Sequence, residues 1–327
     1  MTVVDSRTRA AAGRAALLAE VTAALGGRPR TLPCRLLYDA VGSALFEAIT
    51  QLPEYGLARA DRWMLRHYAG ELAAALPHPA GLIELGAGSA RKTRPLLAAL
   101  GRDGEAYDYA AVDISPAALR RCRRVLAGTP GLGRWRGWAE DFLPGLRRAV
   151  AERRAGQRLA VLFLGGTIGN LDREAAIEFL RDIGEQLEAG DVLLLGVDLE
   201  QDPRRLLPAY DDAAGVTAAF NRNVLARLRR ELGAEVDPAG FAHEARWNAI
   251  ERRIEMHLRA VGRQRIAIAG AGFACELAGG ETLWTEASYK YSAEEARALG
   301  TTAGFGWIAE WRGRTWPAAE ILFRWQK

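Results

Sequence analysis

Glu286 and Ser288 stand two residues apart in the run ETLWTEASYKYS (281–292). In an extended chain that spacing puts a carboxylate and a hydroxyl on one face. Thr282, Trp284 and Lys290 share that face, while Leu283, Thr285, Ala287, Tyr289 and Tyr291 take the other. Such a face is either solvated or the lining of a small polar pocket. A buried carboxylate needs a partner, and an aromatic heterocycle with an N–H offers one.

A second group is ELGAGSARK (84–92). Glycines directly after an apolar strand let the backbone approach a ligand, and the helix N-terminus beyond them presents N–H groups. The pattern beginning at Gly86 lacks the third glycine of the dinucleotide fingerprint. Asp113 closes the next apolar run, where an acid can accept both hydroxyls of a ribose. Asp141 and Phe142 follow a third run and suit an adenine amine and an adenine face. Each also has a structural reading: Asp113 can cap the turn before Ser115-Pro116, and Phe142 can be core. Taken in order on successive strand ends, they point to a nucleoside-bearing cofactor, with S-adenosylmethionine favoured over NAD. Asn170, in GGTIGNLD (165–172), can donate to a carboxylate without adding charge, or can cap the helix after it. The chain contains no Asp-Pro-Pro-Tyr segment, which argues against a nucleobase amine as acceptor.

These residues need a scaffold, and the alternation of short apolar runs with helical stretches supplies one. GLIELGAG (81–88), YAAVDIS (109–115), RLAVLFLGG (158–166) and DVLLLGVDL (191–199) read as buried strands separated by amphipathic helices, with a weaker strand near 133–139. That pattern means a parallel sheet covered on both faces. FGWIAEWRGRTWPAAEILFRW (305–325) reads as two strands joined by a turn. A parallel α/β sheet finished by an antiparallel hairpin resembles the Rossmann-like class I methyltransferases. Residues 61–199 and 287–327 are therefore expected to form the S-adenosylmethionine-binding domain. Residues 1–60 and 200–286 are expected to form a second, α+β substrate-binding lobe. Within it, AYDDAAGVTAAFNRNVLARLRREL (209–232) reads as one long helix.

Composition narrows the function classes. The chain has 327 residues, 49% hydrophobic and 26% charged, with a formal charge of +4; this is an ordinary globular profile. The arginines are spread along helices without aromatic interleaving, so nucleic acid is not an expected partner. Cys34, Cys122 and Cys275 form no CxxC pair, and HEARW (243–247) lacks the second histidine of HExxH. No metal is expected. No apolar stretch approaches a membrane span. The expectation is a cytoplasmic protein, monomeric and without a membrane partner.

The segments LLYDAVGSALFEAITQLPEY, ELGAGSARKTR, GGTIGN, AYDDAAGVTAAFNRNVL, RIEMHLRA and TEASYKYS together resemble the L-histidine Nα-methyltransferase family of ergothioneine biosynthesis, over roughly residues 25–325. The resemblance implies transfer of three methyl groups from S-adenosylmethionine to the α-amine of L-histidine, giving hercynine. It implies that Gly86, Lys92, Asp113, Asp141, Phe142 and Gly165 serve the methyl donor. Tyr55, Asn170 and Tyr210 would take the histidine main-chain groups, and Glu286 and Ser288 the imidazole, with Met256 beside it. Tyr38, Phe46 and Thr167 match positions lining the family's pocket, and Tyr38 and Tyr55 are the candidates for catalytic roles. Gly166 stands where a serine is frequent. Two other readings stay open: an α-N-methyltransferase of another amino acid, such as one with an indole side chain, and a nicotinamide-dependent dehydrogenase.

Overall fold

The computed structural model describes residues 3–327 apart from Pro79, Asp103 and Glu105, with side chains described from residue 13 onward. In chain order the strands are β1 (Ala80–Leu85), β2 (Tyr107–Val112), β3 (Leu132–Trp138), β4 (Arg158–Phe163), β5 (Val192–Asp198), β6 (Phe241–Asn248), β7 (Arg253–Ala260), β8 (Gln264–Ile268), β9 (Phe273–Leu277), β10 (Thr282–Tyr289), β11 (Phe305–Arg312) and β12 (Ala318–Trp325). The chain divides into two compact units. One comprises Pro53–Asp202, Ile250–Arg253 and Ser288–Lys327; the other comprises Met1–Leu52, Pro203–Ala249 and Ile254–Ala287.

The first unit is built on a seven-stranded sheet, ordered β11-β12-β5-β4-β1-β2-β3. β1 pairs in parallel with β2 and β4, β2 with β3, and β4 with β5. β12 is antiparallel to both β5 and β11. Every residue of β1 and β5 is buried, which is why those strands read as unbroken apolar runs. Leu82, Ala111, Leu162, Leu194 and Leu322 meet in the core on the sheet. The strand order reverses between β1 and β4, and ligands of open α/β sheets bind at the carboxyl ends of strands beside such a switch point.

The other unit holds the sheet β10-β7-β6, apart from the end residues Arg253, Ser288 and Tyr289, and the two-stranded β8–β9 hairpin. Its helices include Ala40–Ile49, Pro203–Tyr210 and Val216–Leu232. Here the expected long helix is two. Gly215 adopts a left-handed conformation (φ +73°), and the Asp212 carboxylate accepts from Val216 N at 2.9 Å and Thr217 N at 2.7 Å. That side chain satisfies the new helix's first donors, so the break is capped rather than frayed. Among the described residues, no helix is long and apolar enough to cross a membrane.

Candidate active site

At the end of β1 the chain turns back on β2: Gly86 N and Ala87 N both donate to Val112 O, at 2.8 and 3.2 Å. Gly86 and Gly88 have φ of +72° and +53°, values that favour glycine. A Cβ built on Gly88 would meet nothing within 4 Å, whereas one on Gly86 would lie 3.5 Å from the Phe142 ring. The loop is thus open in front of Gly88 and backed by an aromatic ring beside Gly86. Asp113 holds it there: one carboxylate oxygen accepts from Gly88 N at 2.9 Å, the other from Ser115 N at 2.8 Å. The turn-capping reading of Asp113 is therefore correct. Burial raises the Asp113 carboxyl pKa, against the pull of those two N–H groups. Asp141 is exposed and makes no side-chain cap to the helix Phe142–Ala151 that it precedes. Phe142 packs edge-on against Phe163 and Phe179 and stays partly accessible.

Lys92 Nζ pairs with Asp61 Oδ2 at 3.1 Å in a buried acid group that also includes Glu84 and Glu320. Glu84 is fully buried and accepts from Thr93 Oγ1 at 2.7 Å and from the Tyr109 hydroxyl. Burial raises the pKa of Asp61, Glu84 and Glu320, the last well above the usual range. For Lys92, burial opposes the charge, but Asp61, Glu84 and Glu320 outweigh it and hold its pKa above the usual lysine value. Among the described residues, neither carboxyl oxygen of Glu320 has a hydrogen-bond partner. Gly165 has φ +85°, and a Cβ there would lie 2.8 Å from Lys92 Nζ. Gly165→Ala should therefore push Lys92 off Asp61 and strain the backbone, at about 1–3 kcal/mol. A fall of several degrees in the thermal unfolding midpoint is the expected result, and an unchanged midpoint would show that the loop relaxes freely.

In the other unit, Tyr38 donates through its hydroxyl to Glu286 Oε1 at 3.0 Å. The Tyr38 ring meets Phe46 and Phe220 edge-on at 5.5 and 5.4 Å, and those two rings lie 5.9 Å apart. Glu286 is 8% exposed, and Trp284 Nε1 donates to its backbone carbonyl at 2.9 Å. Met256 is buried on β7, its carbonyl accepting from Thr285 Oγ1 at 2.9 Å. Tyr210 ends the helix Pro203–Tyr210. His243 Nε2 donates to its carbonyl at 2.8 Å, and Asn221 Nδ2 donates to His243 Nδ1 at 2.9 Å. This assignment fixes the neutral tautomer, and burial lowers the His243 pKa in the same sense.

Tyr55 and Asn170 belong to the sheet-bearing unit. Tyr55 is buried at the start of the helix Gly56–His67. Asn170 ends the 3-10 turn Thr167–Asn170, in which Thr167 Oγ1 donates to Leu164 O at 3.1 Å. The cap of the next helix is Asp172, which accepts from Ala175 N at 2.8 Å, so capping is not the task of Asn170. Ser288 Oγ accepts from Lys290 Nζ at 2.8 Å, and Lys290 also reaches Asp198 Oδ2 at 2.7 Å. Sequence reasoning missed Asp61, Asp198, Phe220, Lys290 and Glu320. The only local hint was charge inside otherwise apolar strand text, as in VLLLGVD and AAEILFRW.

A sheet ordered 3-2-1-4-5 with a terminal antiparallel hairpin and a glycine loop at its switch point defines a Rossmann-like class I methyltransferase. Residues 17–324 match the family described as histidine-specific methyltransferase, SAM-dependent. The histidine N-alpha-methyltransferase of Mycolicibacterium smegmatis is 42% identical over 308 residues, covering 94% of this chain and 93% of that protein. The protein of the same name from Mycobacterium tuberculosis is 41% identical, covering 92% of each chain. A more distant relative, the 4-dimethylallyltryptophan N-methyltransferase ifgB of Penicillium roqueforti, is 26% identical and covers 95% of both. The chain belongs to the histidine-specific, S-adenosylmethionine-dependent methyltransferases. Hydride transfer to a nicotinamide is thereby set aside.

Proposed function

We propose that this protein transfers methyl groups from S-adenosylmethionine to the α-amino group of L-histidine, three times in succession, giving hercynine for ergothioneine biosynthesis. The observation that carries the reading is the match of almost the entire chain to a histidine-specific family. The two bacterial relatives named for this reaction support it.

The residues at the carboxyl ends of β1, β2 and β3 fit the methyl donor. Space in front of Gly88 admits a ligand, the half-buried Asp113 suits a ribose, and the exposed Asp141 beside Phe142 suits an adenine. Lys92 and Gly165 line the same end of the sheet. When bound, S-adenosylmethionine supplies an electrophilic methyl carbon on a sulfonium.

The protein's own task is to present a neutral amine to that carbon. A free α-amine titrates near ~8, so a useful neutral fraction exists without a strong base. Holding the amine in line is then the main contribution, worth up to roughly 7–11 kcal/mol of barrier. Tyr55, Asn170 and Tyr210 are assigned to the histidine main-chain groups, and Glu286 and Ser288 to the imidazole. As neutral donors, Asn170 and Tyr210 hold a carboxylate without adding positive charge. Tyr38 fixes the Glu286 carboxylate, and with Phe46 it offers an aromatic wall to a nitrogen that becomes a permanent cation, at ~0.5–2 kcal/mol for each ring. Tyr38 and Tyr55 are also the hydroxyls assigned to pass the amine's protons to water. Met256 packs beside the ring as an adaptable apolar wall. We read the enzyme as a cytoplasmic monomer.

The test is mass spectrometry of L-histidine incubated with the protein and S-adenosylmethionine. The expected result is histidine heavier by three methyl groups, all on the α-nitrogen. Histidine recovered unmodified, or methylated on the ring, would overturn the proposal.

A further inference from the structure

His243, on β6, has a side chain 3% exposed, and both of its ring nitrogens are engaged. Nε2 donates to Tyr210 O at 2.8 Å, and Nδ1 accepts from Asn221 Nδ2 at 2.9 Å. The same Asn221 amide donates to His257 O at 3.1 Å. Asn221 is fully buried in the helix Val216–Leu232. Proton positions along this chain are dictated from both ends, because a backbone carbonyl only accepts. His257 O requires the NH₂ group of Asn221 rather than its oxygen, and Tyr210 O requires a proton on Nε2. The second amide proton then meets a bare Nδ1. Asp211 Oδ1 lies 3.9 Å from Nε2, beyond hydrogen-bond reach, so the ring serves the carbonyl and not a carboxylate.

What the chain holds is the last residue of the helix Pro203–Tyr210. The final carbonyls of a helix have no partner within it, and the turn at 211–215 follows at once, so Tyr210 stands where a helix frays most readily. We propose that His243 is a positioning residue for methyl transfer: anchored by Asn221, it pins the backbone of Tyr210 and thereby aims the Tyr210 hydroxyl at the substrate's carboxylate. This rests on the assignment of Tyr210 to that carboxylate made above. The role needs no contact between His243 and the substrate. A small tilt of the helix end is magnified at the phenol oxygen, and a misplacement of about 1 Å in a positioned group can cost about a hundredfold in rate.

The test is a double-mutant cycle on kcat/KM for L-histidine in the full-length protein. His243→Leu removes both ring nitrogens and should lower kcat/KM about tenfold or more, with affinity for S-adenosylhomocysteine held within about twofold. Tyr210→Phe alone should lose about ten- to a hundredfold, the range for a hydrogen bond to a carboxylate. Once that hydroxyl is gone there is nothing left to aim. Adding His243→Leu to Tyr210→Phe should therefore cost less than about twofold more, the non-additivity of groups that act as one unit. His243→Gln, whose amide nitrogen can replace Nε2 at Tyr210 O, should return to within about threefold of wild type. Asn221→Ala frees the ring without removing it; it should lose about threefold or more, with the same non-additivity, and serves if His243→Leu does not fold. Wild-type kcat/KM in His243→Leu overturns the proposal. So does an equal loss with and without the Tyr210 hydroxyl, which is the pattern of a purely structural residue. Wild-type kcat/KM in Tyr210→Phe would remove Tyr210 from the carboxylate subsite and the proposal with it, whereas a loss there beside unaltered turnover in His243→Leu would fail His243 alone.

Discussion

Glu286→Ala is expected to lower kcat/KM for histidine by about 10³–10⁴-fold while leaving affinity for S-adenosylhomocysteine within about twofold. A site built to hydrogen-bond a substrate N–H rejects whatever leaves its own polar groups unpaired, by factors of about 10⁴ or more. The carboxylate is prepared for that task. It is nearly buried, it accepts from Tyr38 at 3.0 Å, and it sits on a strand whose backbone Trp284 braces. Its charge is felt by a neighbour within the same unit: burial first, then the Glu286 carboxylate, push the Cys34 thiol up to about 12. Truncation removes the acceptor proposed for the imidazole together with the one that the Tyr38 hydroxyl uses, so histidine is expected to lose on both counts. An indole gains by comparison, because it needs no buried carboxylate. Tryptophan belongs in the same assay as the indole comparison. Histidine turnover by Glu286→Ala at the wild-type kcat/KM would show that the carboxylate does not read the ring.

Much of the scaffold was legible because burial on both sides of a sheet leaves a plain mark. β1, β4 and β5 are apolar throughout or nearly so, and β11–β12 follow a recognisable turn. The glycine loop was legible for a related reason, since only its left-handed turn explains Gly86 and Gly88 so close to a strand end. What stayed hidden depends on partners distant in the chain. β6 is intermediate in burial along almost its whole length, so it carries no alternation to read. The helix break at Asp211–Gly215 hangs on a single capping carboxylate. The Asp198–Lys290 pair joins residues 92 positions apart, and each alone looks like an ordinary strand-end charge. Glu286 and Ser288 were visible as a spacing, but the hydrogen bond from Tyr38 to Glu286 was not, because its partners lie 248 positions apart. Phe220 completes the Tyr38–Phe46 cluster from a helix whose text suggested only packing.

Asp113→Ala should weaken S-adenosylhomocysteine binding by about 10²–10⁴-fold. Two hydrogen bonds from ribose hydroxyls to a charged group are worth ~1.5–3 kcal/mol each, and the low end of their sum already gives a hundredfold. A second effect adds to the first. The same carboxylate receives Gly88 N and Ser115 N, so its removal releases a loop held in a left-handed conformation and leaves two backbone donors without their acceptor. Asp113→Asn separates these contributions. Its amide oxygen can keep one backbone donor, but its NH₂ group faces the other N–H, and its weaker acceptor reads the ribose less well. Affinity should therefore fall between wild type and alanine, with less loss of thermal stability than alanine shows. Calorimetry with S-adenosylhomocysteine, paired with a melting curve for each variant, resolves the two. If Asp113→Ala bound S-adenosylhomocysteine as wild type does, with its fold intact, the ribose assignment would be wrong, and Asp113 would be left with the structural task of holding the turn.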